Sequence, residues 1–136
     1  MGTNYLIDTN ILIYFSSGKL PLKTVDYDFY SILKESFNIS VITQIEFLGW
    51  KKHTPITLKR AKTFLSFANI FPLDQIIIDK TIQLRQNFNI KLPDAIIAST
   101  ALVNNLVLLT RNVKDFMEVK ALKIYNPFSP DNLIEK

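Results

Sequence analysis

The sequence has no cysteine and one histidine, His53. Without cysteine the chain has no disulfide, no thiolate metal site and no cysteine nucleophile, which is typical of a protein of the reducing cytosol. One histidine excludes a zinc site built from several histidines of one chain. Any bound metal ion would therefore be held by oxygen ligands, which favours Mg²⁺ or Mn²⁺. His53 follows Lys51 and Lys52, and we predict that it lies on the surface at the end of a helix.

Long apolar runs are also missing. No stretch is long enough to span a membrane, and Asp8 interrupts the apolar run near the amino terminus, which argues against a signal peptide. We therefore expect a cytoplasmic protein. The 136 residues, 48% of them hydrophobic, suit one domain with one core, which we place at residues 1–128, with a short polar tail at 129–136. The net charge of +4 leans towards polyanionic partners.

The chain is organised around residues 5–10. An apolar strand over 5–7 ends at Asp8, and a helix is predicted from Thr9 to about Ser17. Hydrophobic spacing and turn residues predict the remaining elements, which are helices at 27–35, 43–52, 57–69, 76–87 and 92–104, strands at 38–42, 106–109 and 122–125, and a helical turn at 112–116. Strands and helices alternate, which predicts an α/β fold with a mostly parallel sheet and helices on both faces.

Four acidic residues follow strands or begin helices in this scheme. Asp8 follows the first strand directly, Glu46 lies four residues past the second, Asp94 is in the first turn of a helix, and Asp115 follows a later strand, with Asn112 before it. Because the carboxyl ends of parallel strands share one edge, these side chains can converge there. Carboxylates in one cleft repel each other and their pKa values rise unless a cation compensates. The spacing therefore suggests a carboxylate metal site.

Each acid also has a structural interpretation. Thr43 and Glu46 have the spacing of a capping box, in which the glutamate only caps its own helix, and Asn112 and Asp115 have the same spacing. Asp94 is an ordinary first-turn acid, favoured by the helix dipole. Asp8 is the hardest to explain structurally, because a carboxylate directly after a buried strand gains little there.

Four blocks of sequence, in order, resemble PIN-domain ribonucleases, and most closely the VapC-type toxins of bacterial toxin–antitoxin pairs. The blocks are LIDTNI at 6–11, SVITQIEFLG at 40–49, LPDAIIA at 92–98 and LTRNVKDF at 109–116. The closing YNPF at 125–128 is also similar to the end of that family, so the resemblance runs from about Asn4 to Phe128.

The resemblance implies a three-layer α/β/α sandwich with a mostly parallel central sheet, and Mg²⁺- or Mn²⁺-dependent hydrolysis of RNA. It also implies a small cognate antitoxin and a homodimer, for which the apolar helices between residues 24 and 71 are candidates. The residues it assigns to the metal site are Asp8, Glu46 and Asp94, with Asp115 as our choice for the fourth position. The residues it assigns as hydrogen-bond partners of these acids are Thr9, Asn10 and Thr110, and Asn112 is a neutral ligand or water-positioning residue.

Several basic residues are candidates for RNA contacts. Arg111 suits a phosphate, although a structural ion pair explains it equally well. A basic rim for RNA could be formed by Lys51, Lys52, Lys59, Arg60 and Lys62. A solvated helix face is the simpler interpretation of these residues.

Two other functions remain open. A phosphatase could use Asp8 as its nucleophile, but such sites carry a second aspartate two residues on, where this chain has Asn10. A non-catalytic protein- or RNA-binding module of the same fold is the alternative from outside enzymology. The presence of all four acids argues against it.

Overall fold

The fold is described for residues 3–129 from a computed structural model. Residues 130–136, which make up nearly all of the predicted polar tail, lie outside the described part. The helices are α1 Thr9–Ser16, α2 Phe29–Glu35, α3 Val41–Leu48, α4 Pro55–Leu65, α5 Gln75–Asn87 and α6 Leu92–Val103. The strands are β1 Tyr5–Ile7, β2 Lys23–Thr24, β3 Tyr27–Asp28, β4 Asn38–Ser40, β5 Asn69–Phe71, β6 Val107–Leu109 and β7 Ile124–Tyr125. None of these helices is long and apolar enough to cross a membrane.

The central strands are parallel. β6 lies between β1 and β7 and is parallel to both, with Leu6 beside Leu108 and Leu109 beside Tyr125. β4 and β5 form a second parallel pair, and β2 and β3 form a short antiparallel ribbon. The carboxyl ends of β1 and β6 therefore lie at the same edge, where Asp8 and Thr110 follow them.

Side chains join the three-stranded sheet of β1, β6 and β7 to the β4–β5 pair in one layer. β4 packs beside β1. The Tyr5 backbone N–H donates to the Ser36 hydroxyl at 2.7 Å, and the Asn38 side-chain amide donates to the Tyr5 carbonyl at 2.9 Å. These bonds satisfy backbone groups of β1 that no neighbouring strand reaches on that side, and a buried unpaired group there would cost stability. They bring β4, and the helix that follows it, next to Asp8.

The core has two halves, one on each side of the sheet. Tyr5 and Ile7 face the half that also contains residues of α1, α2 and α4, whereas Leu6 faces the half that contains residues of α5 and α6. β6 alternates in the same way, because successive side chains of a strand point to opposite faces. The structure therefore confirms the predicted three-layer α/β/α sandwich with a mostly parallel sheet.

The predicted bounds of three helices are wrong. The helix predicted over 27–35 begins only at Phe29, because Tyr27 pairs with Thr24 in the ribbon and the Asp28 carboxylate caps the helix by accepting from the Tyr30 backbone N–H at 3.1 Å. The helix predicted over 57–69 begins at Pro55 behind a Thr54 cap and ends at Leu65. Residues 66–68, predicted as part of its last turn, form a turn outside the helix, and Asn69 is the first residue of β5.

The start of α3 is the third difference. Val41 and Ile42 were predicted to extend a strand because they are β-branched, but they form the first turn of α3. The Ser40 hydroxyl caps this helix by accepting from the Ile42 backbone N–H at 3.0 Å. The helix ends at Leu48, with Gly49 as its carboxyl-terminal cap, rather than near residue 52.

Candidate active site

Asp8 is placed by the junction of β1 and α1. It is the N-cap of α1, with extended backbone dihedrals (φ −75°, ψ 156°), and its own N–H donates to the Leu109 carbonyl of the neighbouring strand at 3.0 Å. Its side chain is buried, with 5% of its surface exposed. The strand, the cap and the helix thus hold one carboxylate at the carboxyl edge of the sheet, as the sequence predicts.

Three protein donors orient the Asp8 carboxylate. Oδ1 accepts from the Thr9 backbone N–H at 2.8 Å. Oδ2 accepts from the Asn10 side-chain amide at 2.9 Å and from the Thr110 hydroxyl at 2.8 Å. The Asn10 amide nitrogen also lies 3.1 Å from the Thr110 hydroxyl oxygen, which closes a small network across β1 and β6. A carboxylate offers about four lone-pair sites, so Oδ2 is saturated and Oδ1 keeps one.

Glu46 is joined to the same network through Thr9. The Thr9 hydroxyl donates to Glu46 Oε1 at 2.6 Å, and its oxygen lies 3.1 Å from the buried Thr43 hydroxyl. The capping-box interpretation of Thr43 and Glu46 is wrong, because Ser40 is the cap of α3. The Glu46 carboxylate therefore does not cap its own helix and instead contacts Thr9, beside Asp8.

Asp94 and Asp115 lie near Asp8 and Glu46, and we call these four residues the acidic row. Asp94 is in the first turn of α6, behind Lys91, as predicted. Burial raises the pKa of Asp94, the negative charges of Asp115 and Glu46 raise it further, and Lys91 opposes them. Asp115 ends a short 3₁₀ turn, Val113–Asp115, in which the Asn112 side chain makes no capping bond. The capping interpretation of Asn112 and Asp115 is therefore wrong as well.

The electrostatics of Asp8 show how closely the acids interact. Burial raises the pKa of Asp8 from 3.8 to about 6, and the charges of Asp94 and Glu46 raise it too, against the hydrogen bonds from Thr110 and Thr9. Asp8, Glu46, Asp94 and Asp115 therefore lie in one shared field of negative charge. Within residues 3–129, however, no three acidic or histidine side chains are close enough to surround one metal ion. The predicted ligand roles of the four acids stay predictions.

The predicted hydrogen-bond partners of the acids divide into two groups. Thr9, Asn10 and Thr110 each contact a carboxylate of the row directly. Asn112 does not: its backbone N–H donates to the Thr110 hydroxyl at 3.0 Å, and its side chain is exposed. Asn112 thus supports the network through its main chain.

Thr43 contacts Thr9, which the sequence pattern did not predict. Its position in the sequence suits a helix cap, yet Thr43 is fully buried and its hydroxyl lies beside that of Thr9. Thr43 lies three residues before Glu46, so both are on one face of the helix. This spacing was the feature of the sequence that could have indicated the contact.

The predicted basic residues have different surroundings. Arg111 lies over the rings of Phe128 and Tyr14, with its guanidinium carbon 4.2 Å and 5.1 Å from their centroids. Lys51 and Lys52 are exposed in the turn that follows α3.

His53 was predicted to lie on the surface at a helix end, but it is half-buried between α3 and α4. One ring nitrogen lies 2.8 Å from the Phe47 carbonyl and the other 3.1 Å from the Thr57 hydroxyl. Its ring also packs edge-on against Trp50. His53 therefore joins the two helices.

Comparisons with known proteins identify the family and the fold. The sequence profile of the PIN domain matches residues 5–122. A chain of a toxin–antitoxin complex from Klebsiella pneumoniae is 35% identical, with a TM-score of 0.70, over 93% of this chain and 99% of that one.

More distant solved structures share the fold. A chain of DNA-bound VapBC from Salmonella typhimurium is 22% identical, with a TM-score of 0.75, over 91% of this chain and 98% of that one. A chain of VapBC2 from Rickettsia felis, bound to a promoter DNA fragment, is 23% identical, with a TM-score of 0.71, over the same shares. No curated protein sequence matches the chain.

Proposed function

The chain belongs to the PIN-domain family, and on that premise we propose that it is a Mg²⁺- or Mn²⁺-dependent endoribonuclease and the toxin of a toxin–antitoxin pair. The observation that carries the proposal is the Asp8 carboxylate, which is buried, oriented by three donors and exposed to the negative charge of Glu46 and Asp94. Negative charges concentrated in this way repel each other and lower the stability of the fold unless a bound cation offsets them.

The donor chemistry of the acidic row fits a hard divalent cation. The side-chain atoms that the row offers to a metal ion are all carboxylate oxygens, which Mg²⁺ and Mn²⁺ prefer as ligands. Mg²⁺ keeps several waters and needs only one or two protein carboxylates, so a site without three converging acids suits it. Asp8, through the lone pair left on Oδ1, and Asp94 or Glu46 beside it would hold the ion, with Asp115 at a second position.

The protein residues supply orientation and charge in the proposed reaction. A divalent ion held by these acids would supply an activated water and would offset charge on the scissile phosphate. Thr110 and Asn10 fix the plane of the Asp8 carboxylate, and Thr9 fixes Glu46, so the acids are positioned before substrate arrives. The amino-terminal ends of α1 and α6 favour the ionised forms of Asp8 and Asp94.

Metal-dependent cleavage of RNA tests this proposal. Single-stranded RNA is incubated with the purified protein and Mg²⁺, with and without EDTA, beside Asp8→Asn and a matched control, Asp79→Asn, which replaces an exposed aspartate of α5. We expect cleavage by the intact protein and by Asp79→Asn, and none with EDTA or in Asp8→Asn. Equal cleavage in all four samples would refute the proposal.

The antitoxin partner of this proposal is supported by the 35% identical relative, which is part of a toxin–antitoxin complex. A basic side chain of the partner would suit the acidic row, because arginine pairs bidentately with carboxylates and competes with a metal ion. Asp8 and its neighbours are therefore the expected target of inhibition.

An apolar surface offers the partner a second contact. The aromatic face, formed by Tyr30, Ile56, Phe64 and Phe67 of α2, α4 and the turn after α4, has exposed side chains, with Phe67 76% exposed, Ile56 65% and Tyr30 58%. Adjoining cavities of about 580 and 450 Å³ open along it. Lys34, Lys59 and Arg60 line these cavities. A partner segment that combines apolar and acidic residues would complement this face.

Co-expression tests the partner. The protein is expressed alone and with the neighbouring reading frame, and growth, complex size and RNA cleavage are measured. We expect growth arrest only without the partner, and a weaker complex with Phe67→Ser. Equal arrest with and without the partner would refute the toxin–antitoxin assignment. A homodimer of the protein alone that Phe67→Ser dissociates would assign the aromatic face to self-association instead.

A further inference from the structure

Arg111 is tied to the acidic row through its main chain. It follows Thr110, whose hydroxyl donates to Asp8, and its own backbone N–H donates to Asn10 Oδ1 at 3.0 Å. The Asn10 amide in turn donates to Asp8 Oδ2. The position of the Arg111 backbone is therefore set by the same network that orients the carboxylate.

The guanidinium of Arg111 rests on two aromatic rings. Its central carbon is 4.2 Å from the centroid of Phe128 and 5.1 Å from that of Tyr14, and the two rings meet edge-on with centroids 5.0 Å apart. Phe128 is held by a turn in which its backbone N–H donates to Asn126 Oδ1 at 3.0 Å. Arginine stacks in this way because its planar, delocalised charge is attracted to ring faces.

Within residues 3–129 no carboxylate pairs with the Arg111 guanidinium. The side chain instead contacts the two rings, and the residue is exposed. The ion pair considered from the sequence is therefore absent from the described part of the chain. Stacking covers a face of the guanidinium and leaves its edge, which carries the N–H donors, available to an anion. The rings also order the side chain in advance, which lowers the entropy cost of binding.

The aromatic cradle of Arg111, formed by Tyr14 and Phe128, lies one helical turn from the acidic row. Tyr14 and Asn10 are four residues apart on α1, so they share one face and are separated by about 6 Å along the helix axis. One helical turn thus separates the Tyr14 ring under Arg111 from Asn10, a residue that orients Asp8. The cradle therefore suits a phosphate near, but not at, the one positioned at Asp8.

We infer that Arg111, held by Tyr14 and Phe128, binds the backbone phosphate adjacent to the scissile one and so positions single-stranded RNA at the acidic row. The inference rests on the proposed ribonuclease function. Arg111 is a positioning residue in it, and the ligand it takes is a phosphodiester group, recognised by the charged planar fork that arginine presents.

Three variants test the role of Arg111 in cleavage. Arg111→Ala removes the charge and the fork, Arg111→Lys keeps the charge but not the fork or the stacking, and Lys80→Ala removes one positive charge from α5, which carries no residue of the acidic row. We expect KM for single-stranded RNA to rise about tenfold in Arg111→Ala with kcat little changed, a smaller rise in Arg111→Lys and none in Lys80→Ala.

RNA binding without cleavage separates this inference from the proposed function. A fluorescent single-stranded RNA is titrated at several salt concentrations into Asp8→Asn, alone and combined with Arg111→Ala or Lys80→Ala. We expect Arg111→Ala to weaken binding about tenfold and to reduce the slope of log affinity against log salt by about 0.7. Unchanged affinity and slope would overturn the inference, even if Asp8→Asn abolishes cleavage as proposed. Binding that weakens while Asp8→Asn still cleaves would overturn the ribonuclease site and leave Arg111 as an RNA contact.

Two further outcomes would also overturn the inference. A protein that binds no RNA in any form refutes both proposals. If Arg111→Ala leaves RNA binding intact but weakens the complex with the co-expressed partner, then Arg111 is a protein contact. Circular dichroism of Arg111→Ala, compared with the intact protein, shows whether loss of the cradle has changed the fold.

Discussion

The acidic row has a rigid half, which contains Asp8, and an open half, which contains Asp115. In the rigid half, Asp8 is 5% exposed and three donors from the protein hold its carboxylate. In the open half, Asp115 is exposed at the end of a short 3₁₀ turn, and within residues 3–129 its carboxylate accepts no hydrogen bond. A position that is fixed by the fold is ready before a ligand arrives, whereas an exposed one adapts to what binds.

The difference follows from distance along the chain from the sheet. Asp8 comes directly after β1, and the parallel pairing of β1 with β6 brings Thr110 to it. Asp115 comes six residues after the end of β6, so no strand backbone fixes its direction. We therefore expect substitutions in the rigid half to have larger effects than those in the open half.

The largest effect is expected from the acids nearest Asp8. Asp8→Asn, Glu46→Gln and Asp94→Asn should each reduce RNA cleavage by more than about 100-fold, which exceeds the usual cost of losing a residue that only orients a ligand. The fold should remain intact in each, because the substitutions preserve shape. Cleavage rates and circular dichroism check this, with Asp79→Asn as control. Near-normal cleavage by Asp94→Asn would refute the site assignment.

The next largest effect concerns pH. The pKa of Asp8 is raised from 3.8 to about 6 in the folded, metal-free protein, so folding favours the protonated form. The resulting stability is fully present below pH 3.8 and is lost as the pH rises through about 6, a change of about 3 kcal/mol. Denaturant unfolding in EDTA at several pH values measures it. Asp8→Asn should lack this component, and an identical pH dependence in both proteins would contradict the expected titration.

A smaller effect is expected from Thr110→Val, which removes the hydroxyl but keeps the shape. It deprives Asp8 Oδ2 of one donor and leaves the Asn112 backbone N–H without its acceptor. Activity should fall about 10- to 100-fold. Thr100→Val is the matched control, because the Thr100 hydroxyl is also buried but donates to the Ile96 carbonyl of its own helix. Equal activity in the two variants would mean that orientation of Asp8 does not limit the reaction.

The smallest effect is expected in the open half. Asp115→Ala should reduce cleavage only about tenfold, because Asp115 is exposed and, within residues 3–129, no protein donor fixes its carboxylate. It should also lower the pKa of Asp94, since the charge of Asp115 raises that value. Cleavage assays and NMR titration of the Asp94 carboxyl measure the two changes. An Asp115→Ala protein as inactive as Asp8→Asn would show that the two halves do not differ in importance.

The elements that carry the rigid half could be predicted from the sequence. The order of apolar strand, acid and helix at residues 5–17 describes local backbone, and the structure has β1, the Asp8 cap and α1 there. The start of α3 could not be predicted in the same way. Val41 and Ile42 have strand propensity, and the cap at Ser40, together with tertiary packing, overrides it.

Several contacts between distant segments could not be predicted. The ribbon of β2 and β3 has two residues in each strand, too few to show a period. The bonds of Ser36 and Asn38 to Tyr5, and the cradle of Arg111, depend on how the layers pack. Residue types alone do not determine such contacts, so the contact of Thr43 with Thr9 and the rings under Arg111 emerge only from the structure.

Binding of Mn²⁺, followed by electron paramagnetic resonance of the free ion, shows directly whether the acidic row, with Asp8 in its rigid half, forms a divalent-metal site. We expect the intact protein and Asp79→Asn to bind Mn²⁺ with equal affinity, and Asp8→Asn to bind it more than about 100-fold more weakly. Equal affinity in Asp8→Asn and the intact protein would refute this metal site.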